Sequence, residues 1–250
     1  MASPITSMKG MIHRSWNMVR GCTPISPGCD QCYARAQHKA MYSEREHYLI
    51  PFSEVTFMPS NISIGHNYII SVNGISDTLH PDITDQQVQF MIDAISKKHG
   101  IFVVCTKRPF RASMFDWPPN VWLGTSIEDK NYLYRIDELL KANSKIKFVS
   151  FEPMLGPMGE VDLTGIDWVC MGIERGPQAR PYRIQWLRQV RDHCIYQGVP
   201  LFYRGAHYTR NLRPSDLLDG KIWHQYPCGL EAKDEKYDGK VNRRKSSIQD

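Results

Sequence analysis

Short apolar runs and helical stretches alternate along most of this 250-residue chain, and few folds accept that alternation. Tyr68–Val72 reads as a strand followed by Asn73-Gly-Ile-Ser-Asp77, and Pro81 to Lys98 is helical by periodicity, with Asp82 and Thr84 as candidate caps. Ile101–Cys105 runs into Thr106-Lys-Arg-Pro109, and Val121–Gly124 into Thr125-Ser-Ile-Glu-Asp129. Tyr132 to Ala142 is helical again. Ile146–Phe151 ends in Glu152-Pro153, and Trp168–Met171 in Gly172-Ile-Glu-Arg-Gly176. A helix near Ile184 to Tyr196 precedes a last strand, Val199 to Tyr203. Runs bounded by turns and alternating with helices predict parallel strands joined by crossovers. With a further strand at about Ser15 to Arg20, the count is six or seven βα units, too few for a closed eight-unit barrel. The expected fold is α/β, a partial (βα)6-type barrel of parallel strands with outer helices.

In such barrels chemistry gathers where the strands run out at their C-terminal ends. Those ends here carry Asp77, Lys107 with Arg108, Ser126 with Glu128, Glu152, Glu174 with Arg175, and Arg204. Any one of them reads equally well as a solvated loop charge. Their recurrence after successive strands is the signal, and a cysteine loop opens onto the same face. Cys22, Cys29 and Cys32 lie on one short loop, enough to hold an iron–sulfur cube by three of its irons and leave the fourth open. Tyr33 to about His47 then reads as a helix. The competing metal is zinc, whose structural sites want four ligands, commonly as two close pairs. Only Cys29 and Cys32 form a close pair, and the fourth ligand would have to be His38, a turn or two into a helix. Spacing favours iron–sulfur, although thiolates suit either metal.

Composition is that of a globular protein, 42% hydrophobic and 23% charged. No apolar run approaches the roughly 20 residues of a membrane span, and Met1 to Gly10 lacks the apolar core of a secretory signal. A cytoplasmic protein with no membrane association is expected. Residues 1–230 fit one domain with its cluster loop at 21–33, and residues 231–250 a polar, flexible tail. Of seven cysteines, Cys105, Cys170 and Cys194 fall in core-like runs and Cys228 has no evident partner. The net charge of +5 permits a polyanionic partner without requiring one. No phosphate-loop or dinucleotide fingerprint is present, which argues against nucleoside triphosphate or NAD chemistry. The tryptophans (Trp16, Trp117, Trp122, Trp168, Trp186, Trp223) read as packing residues. His13, His66 and His80 are weak acid–base candidates. Glycines 172 and 176 would let a ligand approach the backbone beside Glu174.

Several stretches together resemble a family. The cysteine loop, Ser76-Asp77 with Leu79-His80, Thr106-Lys-Arg-Pro109, Pro119-Asn-Val-Trp-Leu-Gly124 with Ser126 and Glu128, Phe151-Glu-Pro-Met-Leu-Gly-Pro157, and Asp167-Trp-Val with Gly-Pro-Gln-Ala-Arg-Pro181 resemble the phage-type three-cysteine-motif proteins of the radical S-adenosylmethionine (SAM) class. The likeness runs in order from about Ser15 to Pro227. It implies a [4Fe–4S] cluster on Cys22, Cys29 and Cys32, with SAM on the open iron and cleaved to a 5′-deoxyadenosyl radical. It further implies Asn73, Ser76, Asp77, Ser126 and Glu128 around SAM, Glu152, Glu174 and Lys107 as acid–base groups, and Arg175, Arg180 and Arg204 toward the substrate. The usual cysteine spacing in that class is three residues, then two; here it is six, then two, and Gln31 stands where an aromatic residue commonly precedes the last cysteine.

Gly172-Ile-Glu-Arg-Gly176 replaces a common Gly-Gly-Glu-Ser-Gly, and Tyr203-Arg-Gly-Ala206 stands where many relatives have a Lys-Gln pair. The chain is similar to a branch that hypermodifies thymine in viral DNA, isomerising a glycine linked through nitrogen into one linked through its alpha carbon. That similarity implies modified phage DNA as substrate, a flavodoxin- or ferredoxin-like reductant, and the host cytoplasm as location. The other readings are a radical SAM enzyme acting on another small molecule or protein, and a zinc-stabilised DNA-binding module.

Overall fold

Seven of the apolar runs pair side by side into one sheet. The computed structural model describes residues 14–41, 49–62, 69–205 and 217–227. The strands are β1 (Arg14–Trp16), β2 (Ile69–Val72), β3 (Ile101–Thr106), β4 (Val121–Ser126), β5 (Ile146–Phe151), β6 (Trp168–Met171) and β7 (Leu201–Tyr203). Each lies parallel to its successor, so spatial order follows chain order, and the sheet forms a half-barrel with helices around it. The helices are α1 (Tyr33–Met41), α2 (Asp85–Ser96), α3 (Tyr134–Leu140) and α4 (Ile184–Gln197).

Period-two alternation sorts the strand side chains into two cores. Phe102, Val104, Leu123, Val149, Phe151, Val169 and Leu201 face outward and pack with Val88, Met91, Ile92 and Ile95 of α2 and Leu187, Val190 and Cys194 of α4. Val103, Trp122, Phe148, Trp168 and Phe202 face inward with Tyr226. Trp168 is the hub of this inner group, with ring centroids 5.5 Å from Trp122, 5.6 Å from Phe148 and 6.1 Å from Tyr226. Gly124 makes the layer possible, because a Cβ there would fall 2.4 Å from the Phe148 ring. Toward the C-terminal ends the inward positions become small or polar: Ser71, Cys105, Ser126, Ser150, Cys170 and Gly172. The concave wall is therefore plugged at one end and open in side-chain size at the other.

Local signals explain the element ends. Thr84 caps α2 in a reciprocal capping box with Gln87, a motif in which losing the cap costs about 0.5–2 kcal/mol. Gly198 closes α4 at φ 69°, the left-handed turn glycine favours.

Several expectations need correction. The strand expected over Ser15 to Arg20 is two pieces, since after Trp16 the chain turns away and Val19–Arg20 pairs antiparallel with Thr56–Phe57. The crossovers over residues 107–120 and 152–167 contain no α-helix, only the 3-10 turn Pro109–Met114 in the first. The expected Tyr132 to Ala142 helix is a 3-10 turn, Lys130–Tyr132, followed by α3. The far end of the Tyr33 to His47 helix, Tyr68, His13, His66, Cys228 and the 231–250 tail lie outside the described residues. No helix among the described residues is long and apolar enough to cross a membrane.

Candidate functional site

The cysteine loop is fastened to the rim by the turn after β2. Asn73 takes φ 56°, a conformation asparagine tolerates. Its Oδ1 accepts from the backbone of Met18 (2.8 Å) and Val19 (2.9 Å), which bends the chain off β1. Its amide nitrogen donates to Thr78 Oγ1 at 2.9 Å and contacts Met91 Sδ at 3.3 Å. Ser76 donates its hydroxyl to the Gly21 carbonyl at a parallel bridge between the two residues. Asp77 accepts through Oδ1 from Leu79 N (3.0 Å) and Thr106 Oγ1 (2.6 Å), and through Oδ2 from Lys107 N (3.2 Å) and Arg108 Nη1 (2.9 Å). Asn73, Ser76 and Asp77, expected around SAM, stand together on this rim, and these hydrogen bonds fasten the cysteine loop to the sheet.

Two cations lie against the sulfurs. The turn Pro27–Cys29 presses Gly28 onto the next loop, where a Cβ would come within 2.5 Å of Glu128 and 2.7 Å of Lys107 Nζ. Glu128 has no exposure to water. Its Oε1 accepts from Ser26 Oγ at 2.6 Å and from Lys107, and its Oε2 from Arg135 Nη1 at 3.0 Å. Glu128 thus anchors the loop from beneath. Lys107 Nζ also lies 3.8 Å from Cys29 Sγ, and Arg108 Nη1 lies 3.8 Å from Cys22 Sγ. Arg108 Nη2 donates to Thr23 O at 2.9 Å and Oγ1 at 3.1 Å. Burial works against ionising the Cys29 thiol, but Lys107, the Ile25 and Ser26 amides and the Ser26 hydroxyl outweigh it, so its pKa is lowered. Burial, and then Asp77, push Cys22 up to about 11 against the opposing pull of Arg108.

Among the described residues, no three His, Cys, Asp or Glu side chains group closely enough to hold a metal ion. Metal–sulfur bonds of about 2.3 Å on one tetrahedral ion bring its thiolates to about 3.8 Å of one another. A cube carries each thiolate on a different iron and spreads them further apart. Three thiols on one loop, two of them facing a cation, form a donor set compatible with an anionic cluster of that kind. His38, weighed as a fourth ligand for zinc, instead meets the Ile50 carbonyl at 2.9 Å and sets its ring edge-on to Phe52.

A second charged group follows β5, β6 and β7. Glu152 and Arg204 are paired through Oε2 and Nη1. Burial raises the Glu152 carboxyl in spite of Arg204 and Arg175, and burial lowers the Arg204 guanidinium in spite of Glu152. Arg175 donates to the Arg204 carbonyl. Glu174 and Arg180 turn toward each other instead: Arg180 donates to Glu174 from its backbone N (2.9 Å), Nε (2.8 Å) and Nη2. Arg180 continues to Pro27 O at 2.8 Å and Asp30 Oδ2 at 3.3 Å. The pair straps the β6 loop to the cysteine loop. Ser126 faces the concave wall, its hydroxyl 3.4 Å from Cys105 Sγ.

Sequence reading missed Arg135. Arg135 is buried on the apolar stripe of α3 beside Ile136 and Leu139, and a charge in such a stripe is the only cue the sequence offers. His80 Nδ1 accepts from Asp82 N at 3.2 Å, which leaves the neutral ring's proton on Nε2 for Thr23 Oγ1 at 2.7 Å. His80 is a strut. A cavity of about 560 Å³ lies at the opposite end of the sheet, lined by residues 163–167 and 197–200, away from all these groups.

A family model described as "Protein of unknown function (DUF5131)" matches residues 7–227, and the chain belongs to that family. No curated protein and no solved structure matches it.

Proposed function

We propose that this member of the DUF5131 family is a radical SAM enzyme, with a [4Fe–4S] cluster on Cys22, Cys29 and Cys32. The observation that carries the reading is the pair of cations, Lys107 and Arg108, at the sulfurs of Cys29 and Cys22 on the C-terminal rim of a parallel half-barrel. Hydrogen-bond donors and positive charge at the sulfurs suit an anionic thiolate-bound cluster and tune its potential. When bound, the cluster and SAM supply a carbon-centred radical able to take hydrogen from an unactivated C–H bond. The chain supplies placement and exclusion of water. Glu128, Lys107 and Arg108 fix the loop; Asn73, Ser76 and Asp77 set its height over the sheet; Ser126, Glu152 and Arg204 face the reaction space from the concave wall.

The narrower proposal, which rests on the resemblance, is isomerisation of N-linked to C-linked glycinylthymidine in phage DNA. Glu152, whose carboxyl burial raises, would exchange the proton of the glycyl amine. A base inside a duplex is out of reach, so the target nucleotide would be extruded to the rim.

Anaerobic purification and reconstitution test the cluster: a brown protein with iron and sulfide supports it, and a colourless protein holding zinc sinks it. Incubation with SAM, a reductant and hypermodified phage DNA tests the reaction. Because isomerisation conserves mass, the expected result is a shifted nucleoside retention time. SAM cleavage with no nucleoside change would leave the enzyme class standing and remove the substrate.

A further inference from the structure

We propose that Arg204 and Glu152 form a subsite for an α-amino-acid end, with the ligand's carboxylate on Arg204 and its ammonium on Glu152. Arg204 follows β7 on the inward side set by Phe202, and its backbone is held by Met171 O at 3.0 Å. Nη1 is taken by Glu152, while Nε and Nη2 are buried with no hydrogen-bond partner among the described residues. These two nitrogens form one edge of the guanidinium, and their parallel N–H bonds match the two oxygens of a carboxylate. Arginine stays protonated, so a buried edge without acceptors is a standing cost that a bound anion removes.

The other buried arginines differ. Arg108 is engaged with Asp77 and Thr23, and Arg111 with His80 O, Ile83 O and Asp85. Arg135 also has Nε and Nη2 unbonded, but it lies over the Tyr132 ring at 4.5 Å. Among the described residues, it is at Arg204 that a buried, unbonded edge sits beside a carboxylate on the concave wall.

Charge suits the ligand class. Arg204 and Arg175 act on one carboxylate, Glu152, so the site sets cationic groups beside an anionic one, as the two ends of a zwitterion require. The wall is small there: Cys170 and Gly172 face the pair, and a Cβ on Gly172 would come within 3.0–3.2 Å of the Glu152 carboxylate. The subsite deepens the proposed function and rests on it for its natural ligand, since an N-linked glycine presents both an amine and a carboxylate.

The test observes Arg204 directly. Side-chain Nε–H correlations of the ¹⁵N-arginine-labelled full-length chain are recorded during titration with N-methylglycine, with its methyl ester, and with inorganic phosphate. Arg204→Lys identifies the resonance by its disappearance. The expected result is a saturable shift with N-methylglycine, with a dissociation constant on the order of a millimolar. The ester should bind about tenfold more weakly or worse, and Glu152→Gln should weaken the amino acid by a similar factor. No saturable shift, or equal responses to acid and ester, overturns the subsite, and so does a stronger response to phosphate. The acid–ester comparison is read on the wild-type chain, with Arg204→Lys needed only to assign the resonance. The titration needs neither iron nor SAM, so its failure is separate from a failure of SAM cleavage, which would sink the radical reading and leave the subsite intact.

Discussion

Lys107 bonds a Glu128 carboxylate that water cannot reach, and the same ammonium lies 3.8 Å from the Cys29 sulfur. One cation thus joins the floor of the rim to the cysteine loop. Lys107→Met leaves Glu128 with Arg135 and Ser26 but removes half of its neutralising charge. Breaking a buried pair from one side typically costs about 3–5 kcal/mol; Lys107 is 18% exposed, which favours the lower end. Denaturant unfolding should show that loss, and iron retention after reconstitution should fall with it. Unchanged stability and unchanged iron content would show that the contact organises nothing.

Substituting Cys22, Cys29 or Cys32 by alanine should each remove most bound iron and sulfide. Cys194→Ala is the control: its thiol is buried between α4 and the outer core, so it should cost about 1–2 kcal/mol and leave iron binding unchanged. Iron and sulfide assays on the four variants decide the matter. Equal iron in all of them would sink the cluster assignment.

Gly28→Ala places a methyl group 2.5 Å from Glu128, and the carboxylate it meets is held by three donors. Overpacking of this kind costs about 1–3 kcal/mol. The loop should lift, seen as faster protease cleavage within residues 22–32 and weaker cluster retention, while the sheet's far-UV dichroism stays the same.

The strap should respond to acid. Burial raises the Glu174 carboxyl, but its hydrogen bonds from Arg180 outweigh that and lower the folded pKa below the unfolded value of about 4.3. Its contribution is therefore present above about pH 4.3 and is lost as pH falls through the folded pKa. The stability difference between the wild-type protein and Glu174→Gln should be largest near neutrality and shrink below pH ~4. A difference that grew on acidification would reverse the assigned sign.

The fold was most legible where strands are buried on both faces. Trp168–Met171 is a continuous apolar run and Ile146–Phe151 a largely apolar one interrupted by Lys147 and Ser150, and their observed bounds are those read from sequence. Strand ends were less so: β3 and β4 run on through Thr106 and Thr125–Ser126, polar residues whose backbones pair in the ladder although their side chains resemble a loop. The break after Trp16 depends on Asn73, more than fifty residues later, and no local pattern announces it. The same limit governs the rim. Asp77 and Glu174 could be placed there from strand order and Arg180 from the family resemblance, but what each one touches is set by residues remote in sequence, as Arg180 and Pro27 show across 153 positions.

The tightly interlocked rings around Trp168 give the half-barrel a sealed base. Those rings fill the concave wall at that end, so a guest of the proposed site would approach from the end that carries the cysteine loop and its strap. A bulky polymer could present only a protruding group to that mouth, and selection among guests falls to the surrounding loops, which can diverge without disturbing the ring layer below.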